Sequence, residues 1–227
     1  MILLAIDTCG MSGSVALARV IDGSLVLLGQ VDLPSRDAAS TLLPTLRDLL
    51  TKHEVPLKEL TALLVVDGPG SFTGVRIGMS AAKGISEGLN IPIATISRLE
   101  VLAALGETEL AALDAHRNEV YLRIGGEHAS QAREWLADGD RLAALRGPGQ
   151  RVSVCDDAAT ALLTKAWPEA ELISLAQPTA ADALRFGLAR ILDGAFADPL
   201  VLDGNYLRRS DAEIFAPPTP RSPAPQS

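Results

Sequence analysis

The stretch with most chemistry in it is VVDGPGSFTGVRIGMSAAKGISEGL, residues 65–89. An apolar strand, a glycine-rich loop and a helix, in that order, can present backbone N–H groups to an anion at the helix N-terminus. Gly68, Gly70 and Gly74 read GxGxxxG, one residue longer than the dinucleotide fingerprint, and Thr95-Ile96-Ser97 stands where that motif wants an acid. No Gly-Lys-Ser/Thr follows, so the loop is not a P-loop. Two readings of Gly68, Gly70 and Ser71 stay open: a phosphate cradle and a structural turn. Ser71 and Thr73 suit donation to a phosphate, and equally suit capping of the helix that begins at Gly74.

Two acids close apolar runs: Asp7, followed by Thr8, ends LLAID, and Asp114 ends LAALD. Each could hold a nucleotide-bound Mg²⁺, and each could cap a turn. Arg76 and Lys83 could meet a phosphate, solvent, or acids on a partner. Cys9 has no cation or histidine near it in sequence, so nothing visible activates its thiolate. The histidines are His53, His116 and His128, with no HxxxH spacing, and no metal site is expected. No G-x-S-x-G elbow is present, which disfavours a peptidase.

The elements that must place these residues follow from periodicity. Residues 2–6 and 14–20 read as a hairpin, with a third strand around 24–31. Leu42, Leu43, Leu46, Leu49 and Leu50 form the stripe of a helix over 38–53, with Pro44 near its start. A buried strand at 60–66 leads through the loop to a helix over 74–89, then a strand at 91–96 and a helix from 99. Residues 110–124 again read strand, Asp, polar turn, strand. Further on lie a strand at 152–155, helices at 158–166 and 180–195, and an extended stretch around Tyr206.

In the glycine-rich helix, Gly74, Gly78 and Ala82 fall four apart, with Gly84 and Gly88 on a neighbouring ridge. Each helical glycine costs about 0.8–1 kcal/mol relative to alanine, so a close helix approach is expected there, within the chain or to another.

The expected organisation is a first lobe over 1–100, a second over 101–215, and a disordered tail over 216–227, where APPTPRSPAPQS offers five prolines and nothing to bury. Each lobe opens with strand, Asp, turn, strand, the plan of two-lobed actin-like ATPases. With 48% hydrophobic but only 4% aromatic residues among 227, the core must be aliphatic, favouring α/β layers. The net charge of −8 argues against strong unaided binding of tRNA or duplex. Cys9 and Cys155 fit neither a metal nor a disulfide framework, pointing to a cytoplasmic protein. The opening MILLAIDTCG has no basic stretch before its six-residue apolar run, so no secretory signal is expected, and no membrane span either.

GPGSFTGVRIG behind a buried strand resembles the signature of the TsaB (YeaZ) family, non-catalytic partners of TsaD in bacterial synthesis of threonylcarbamoyladenosine on tRNA. LLAIDTCGMSGSVAL resembles that family's first strand pair, LLPTLRDLL its first helix, LDAHRNEVY the start of its second lobe and NYLRR its closing strand. Together these cover most of residues 1–210. The resemblance implies an α/β, actin-like (ASKHA) two-lobed fold, each lobe a mixed sheet flanked by helices.

It also implies a scaffold that binds and activates TsaD, joins TsaE in a larger complex, meets tRNA only indirectly, and forms a homodimer alone. It would have no cofactor of its own, ATP and metal belonging to TsaD. The helices over 38–53 and 74–89 would make the dimer contact, through Leu42, Leu46, Leu49, Gly74, Arg76, Gly78, Met79, Ala82 and Lys83. Asp7, Thr8, Asp114, Gly68, Gly70 and Ser71 would line a vestigial nucleotide cleft. Two features depart from the pattern. Pro34 to Ala39 replaces a His-rich stretch found in many relatives, and the His pair of the catalytic relatives is absent. The rival reading is an actin-like small-molecule kinase or ATPase using Asp7, Asp114 and the 68–74 loop.

Overall fold

The first strand, β1 (Ile2–Asp7), is buried at every position, as a near-continuous apolar run must be when both faces of its sheet are covered. In a computed structural model of the chain, described for residues 1–34, 37–125, 132–145 and 150–208, β1 is the middle strand of a five-stranded sheet. It pairs antiparallel with β2 (Gly13–Ile21), which pairs antiparallel with β3 (Ser24–Leu33). Asp22-Gly23, both at positive φ, makes the two-residue turn that matches strand twist. On its other side β1 runs parallel to β4 (Ala62–Val66), and β4 parallel to β5 (Ile93–Ile96).

Parallel pairing needs crossovers, and α1 (Ala38–Lys52) and α2 (Phe72–Leu89) supply them. The helices touch each other on one face of the sheet. Pro44, expected near the start of α1, lies inside it, past the first turn.

The second sheet repeats the first. β6 (Leu110–Asp114) pairs antiparallel with β7 (Val120–Ile124), β7 antiparallel with β8 (Arg133–Ala137), β6 parallel with β9 (Arg151–Val154), and β9 parallel with β10 (Glu171–Ser174). The orders β3-β2-β1-β4-β5 and β8-β7-β6-β9-β10 match strand for strand and direction for direction. The duplication read from LLAID and LAALD is a duplication of topology. Helices α4 (Gly139–Ala144) and α5 (Asp157–Ala166) cover this sheet, with the buried Trp167 donating its indole N–H to the Leu142 carbonyl, 2.6 Å. Sequence pattern gives no sign of β8, α4 or β10, none longer than six residues, and the stretch around Tyr206 forms no strand.

Helix α3 (Arg98–Leu105) lies at the lobe junction, with Val101 in the first core and Leu99 and Leu102 packed against the second sheet. The expected second lobe, 101–215, does not contain its last helix. α6 (Ala180–Leu192) returns to the first sheet, on the face opposite α2, where Ala183, Leu184 and Ile191 join the first core. Its start is fixed by a Thr179–Asp182 capping box and by the Ala180 N–H donating to Ser14 Oγ of β2, 2.8 Å. The expected tail over 216–227 lies outside the described residues, as do Arg209 and His128.

Candidate functional site

Between the lobes lies a cleft of about 770 Å³, walled by the β1–β2 turn, the 69–72 loop and the start of α2 on one side, and by the β6–β7 turn and residues 205–208 on the other. Asp7 and Asp114 occupy equivalent places in the two hairpins, and both are engaged in their own turns. Asp7 Oδ1 accepts from the Cys9 N–H at 2.8 Å, and Asp114 Oδ1 from the His116 N–H at 2.7 Å. Asp114 Oδ2 also lies 2.8 Å from His116 Nδ1.

Asp7 is fully enclosed, and its second oxygen is 3.7 Å from Nε of Arg98, itself only 5% exposed. Burial raises the Asp7 pKa; the guanidinium and the Cys9 N–H pull the other way. Arg98 also donates to Gln177 Oε1 at 2.5 Å, and its guanidinium passes so close to Gly10 that a Cβ there would collide with it. Sequence reasoning missed Arg98 and Gln177. A single arginine opening RLEVLAAL reads as an exposed first-turn residue, and its burial depends on a partner 79 positions away.

The glycine loop is tied down. Ser71 N–H donates to the Cys9 carbonyl at 2.8 Å, Arg98 N–H to the Gly68 carbonyl at 2.6 Å, and Ser71 Oγ accepts from the Gly74 N–H, capping α2. A Cβ at Gly70 would strike the Cys9 carbonyl. Thr8 Oγ1 donates to the Gly74 carbonyl, 2.6 Å. Loop 67–71 is thus a turn sewn onto the end of β1. Cys9 donates its thiol to the Val66 carbonyl, and burial, then Asp7, pushes its pKa well up; burial lifts Cys155 to about 11. Neither is an activated nucleophile. Among the described residues no three His, Cys, Asp or Glu side chains are grouped to hold a metal ion.

The residues expected at a dimer contact divide in two. Leu42, Leu46, Leu49, Gly74, Gly78, Met79 and Ala82 are all buried within the chain's own first lobe. Gly74 and Gly78 are glycine because Thr8 lies against them: a Cβ would meet its carbonyl at Gly74 and its hydroxyl at Gly78. These seven are corrected to core. Arg76 is exposed, stacked 3.9 Å over the Phe72 ring, and Lys83 is half-buried. The outer face instead carries Leu43 (57% exposed) on α1 and Ser80, Gly84, Glu87 and Gly88 on α2, with nothing within 4 Å of a Cβ built at Gly84 or Gly88.

A second polar cluster lies where the lobes meet. Arg123 pairs with Glu134 at 2.8 Å and Glu100 at 3.9 Å, and Arg190 pairs with Glu100 at 2.6 Å and donates to the Thr95 carbonyl at 2.7 Å. Asp67, at the end of β4, makes a third acid against two arginines, and its Oδ1 is buried without a hydrogen-bond partner. Burial, with Glu134 adding to it, pushes its pKa up to about 7, against the pull of a Thr95 hydrogen bond and Arg190.

Of the residues expected to line the cleft, Asp114, Gly70 and Ser71 do so, whereas Asp7, Thr8 and Gly68 are buried outside it. Two lobes of one topology, each opening in a hairpin with an Asp at the end of its first strand and a cleft between them, define a protein of the actin-like class. Residues 32–188 match the profile described as TsaD: tRNA N6-adenosine threonylcarbamoyltransferase. The tRNA threonylcarbamoyladenosine biosynthesis protein TsaB of Escherichia coli K12 is 39% identical over 125 residues, 52% of either chain. The protein of that name from Bacillus subtilis is 34% identical over 125 residues, 53% of either chain. This chain thus spans about half the length of those relatives. An uncharacterised protein of Mycobacterium tuberculosis is 31% identical over 218 residues, 94% of this chain and 95% of that one. The solved structure of YeaZ from Pseudomonas aeruginosa superimposes with a TM-score of 0.72 at 27% identity, covering 91% of this chain and 99% of that one. The chain belongs to the TsaB (YeaZ) family, and both that family and the α/β, two-lobed actin-like fold are those expected from GPGSFTGVRIG.

Proposed function

We propose that this chain is a non-catalytic subunit in the synthesis of threonylcarbamoyladenosine on tRNA, and that it binds and activates TsaD through the outer face of α1 and α2. The observation that carries the reading is the pair Gly84 and Gly88, turned to open space on a helix that gains nothing inside its own chain from lacking side chains there. Two helical glycines cost about 0.8–1 kcal/mol each relative to alanine. A facing helix that approaches closely over them, beside the exposed Leu43, supplies the compensation. In isolation the same face would pair two copies. The dimer surface is therefore Leu43, Arg76, Ser80, Lys83, Gly84, Glu87 and Gly88, replacing the buried residues of the earlier expectation.

The cleft supports a non-catalytic role. The acids an actin-like enzyme would use for Mg²⁺-nucleotide cap their own turns, and Arg98 supplies Asp7 with a resident cation. In this reading ATP and metal belong to TsaD, TsaE joins the larger assembly, tRNA contact is left to partners, and the compartment is the cytoplasm. The net charge of −8 agrees with that division of labour. No helix among the described residues is long and apolar enough to cross a membrane.

The size of the cleft favours one rival, a kinase or ATPase. The discriminating experiment is Mg²⁺-dependent ATP hydrolysis by the chain alone, beside co-purification with TsaD of the same organism. Hydrolysis at the buffer rate together with capture of TsaD is expected. Turnover abolished by Asp7→Ala would establish the rival.

A further inference from the structure

The chain crosses between the lobes at α3 and at the segment joining β10 to α6, and then once more, in the wall of the cleft. This third crossing, residues 202–208, has no regular secondary structure, yet both lobes hold it. On the first lobe, the Asn205 N–H donates to the Asp67 carbonyl at 2.7 Å, Leu202 and Tyr206 pack against the first core, and the Tyr206 ring lies 4.9 Å from that of Phe72 at the start of α2. On the second lobe, Asn205 Nδ2 donates to Glu134 Oε2 at 2.6 Å, Leu207 packs against the cluster around Leu113 and Tyr121, and Arg208 enters the β6–β7 turn.

Arg208 donates there to the Ala115 carbonyl at 2.6 Å and pairs with Glu119. The turn it enters holds His116, Arg117 and Asn118 at positive φ in succession, a conformation side-chain-bearing residues keep only when their surroundings hold them. Asn205 by itself touches both lobes, its main chain on Asp67 just past β4 and its side chain on Glu134 of β8.

We infer that residues 202–208 are an interlobe clamp: docked on both lobes at once, they set how far the cleft opens, and their release is the opening motion of the molecule. The buried residues of the two sheets form separate clusters that meet at α3, so opening about α3 leaves the interior of each sheet packed. What is given up is the polar contacts, the Tyr206–Phe72 pair and the peripheral packing of the partly buried Leu202, Tyr206 and Leu207. Hinge motion of packed bodies about a few linking residues is a common way for two-lobed proteins to move.

The test is an interlobe distance. Spin labels placed by Ala189→Cys on α6, away from the proposed dimer surface, and Asp140→Cys on α4, both exposed, in a Cys155→Ser background, report it in the full chain. Arg208→Ala and Asn205→Ala should each shift the distribution to longer distances and broaden it, while far-ultraviolet circular dichroism keeps its folded signal. Leu200→Ala, 91% exposed just ahead of the clamp, should change neither. Two results overturn the inference. One is an unchanged distribution in folded variants. The other is loss of all folded signal in both, which would make the segment part of one indivisible core.

Discussion

Gly78 and Gly84 stand six residues apart on one helix and answer to different physics. A side chain at Gly78 runs into the Thr8 hydroxyl and the Ile6 side chain, so Gly78→Leu should destabilise the monomer by about 1–3 kcal/mol, the usual cost of overpacking. At Gly84 nothing is met, so Gly84→Ala should stabilise it by about 0.8–1 kcal/mol from helix propensity alone. Urea unfolding of both variants checks the pair, and equal effects would contradict the assignment. Asp67 gives a third residue-scale expectation. Its folded pKa of about 7 lies above its ordinary 3.8, so between those values the folded state holds a proton that the unfolded state has released. Stability from this group is therefore lost as pH rises from about 4 to 7 and is level beyond. Asp67→Asn should match wild type near pH 4 and exceed it at pH 8 by on the order of 1–3 kcal/mol. Parallel curves across that range would show that Asp67 is not the titrating group.

At the scale of elements, the two hairpins and the glycine helix were legible because their signals are local. An acid ends each apolar run, and the 3.6 period is carried by four leucines in α1 and by Gly74, Val75, Gly78, Met79 and Ala82 in α2. Periodicity named the buried faces and not what each one meets. Leu42, Leu46 and Leu49 make a stripe that fits a partner as well as it fits the first sheet, and only the sheet's position decides. Which sheet α6 joins was hidden for the same reason: its apolar side suits either lobe, and Ser14, 166 positions away, selects one. The face left over on α1 and α2 should govern association. Gly84→Leu should leave thermal unfolding of the monomer near wild type and move gel-filtration elution towards the monomer, because buried centres of protein contacts tolerate clashes poorly. A Gly84→Leu protein that still elutes as a dimer would remove this face from the contact.

Across the whole molecule, one plan used twice leaves two hairpin acids occupied in their own turns and a cleft whose closing segment comes from the end of the described chain. GPGSFTGVRIG made the family legible, while the clamp, the Arg98–Asp7 pair and the Asp67 cluster were not, since each joins residues from different elements. With a net charge of −8, the chain alone should retain little tRNA at physiological salt, which filter binding will read. The central claim is that α1 and α2 bring activity to TsaD without chemistry of their own. It is tested most directly by measuring threonylcarbamoyladenosine formation by TsaD and TsaE of the same organism with no added chain, with wild type, and with Gly84→Leu. The expected result is formation that depends on the wild-type chain and falls to the level of its omission with a folded Gly84→Leu; full formation with that variant, or without any chain, would contradict the claim.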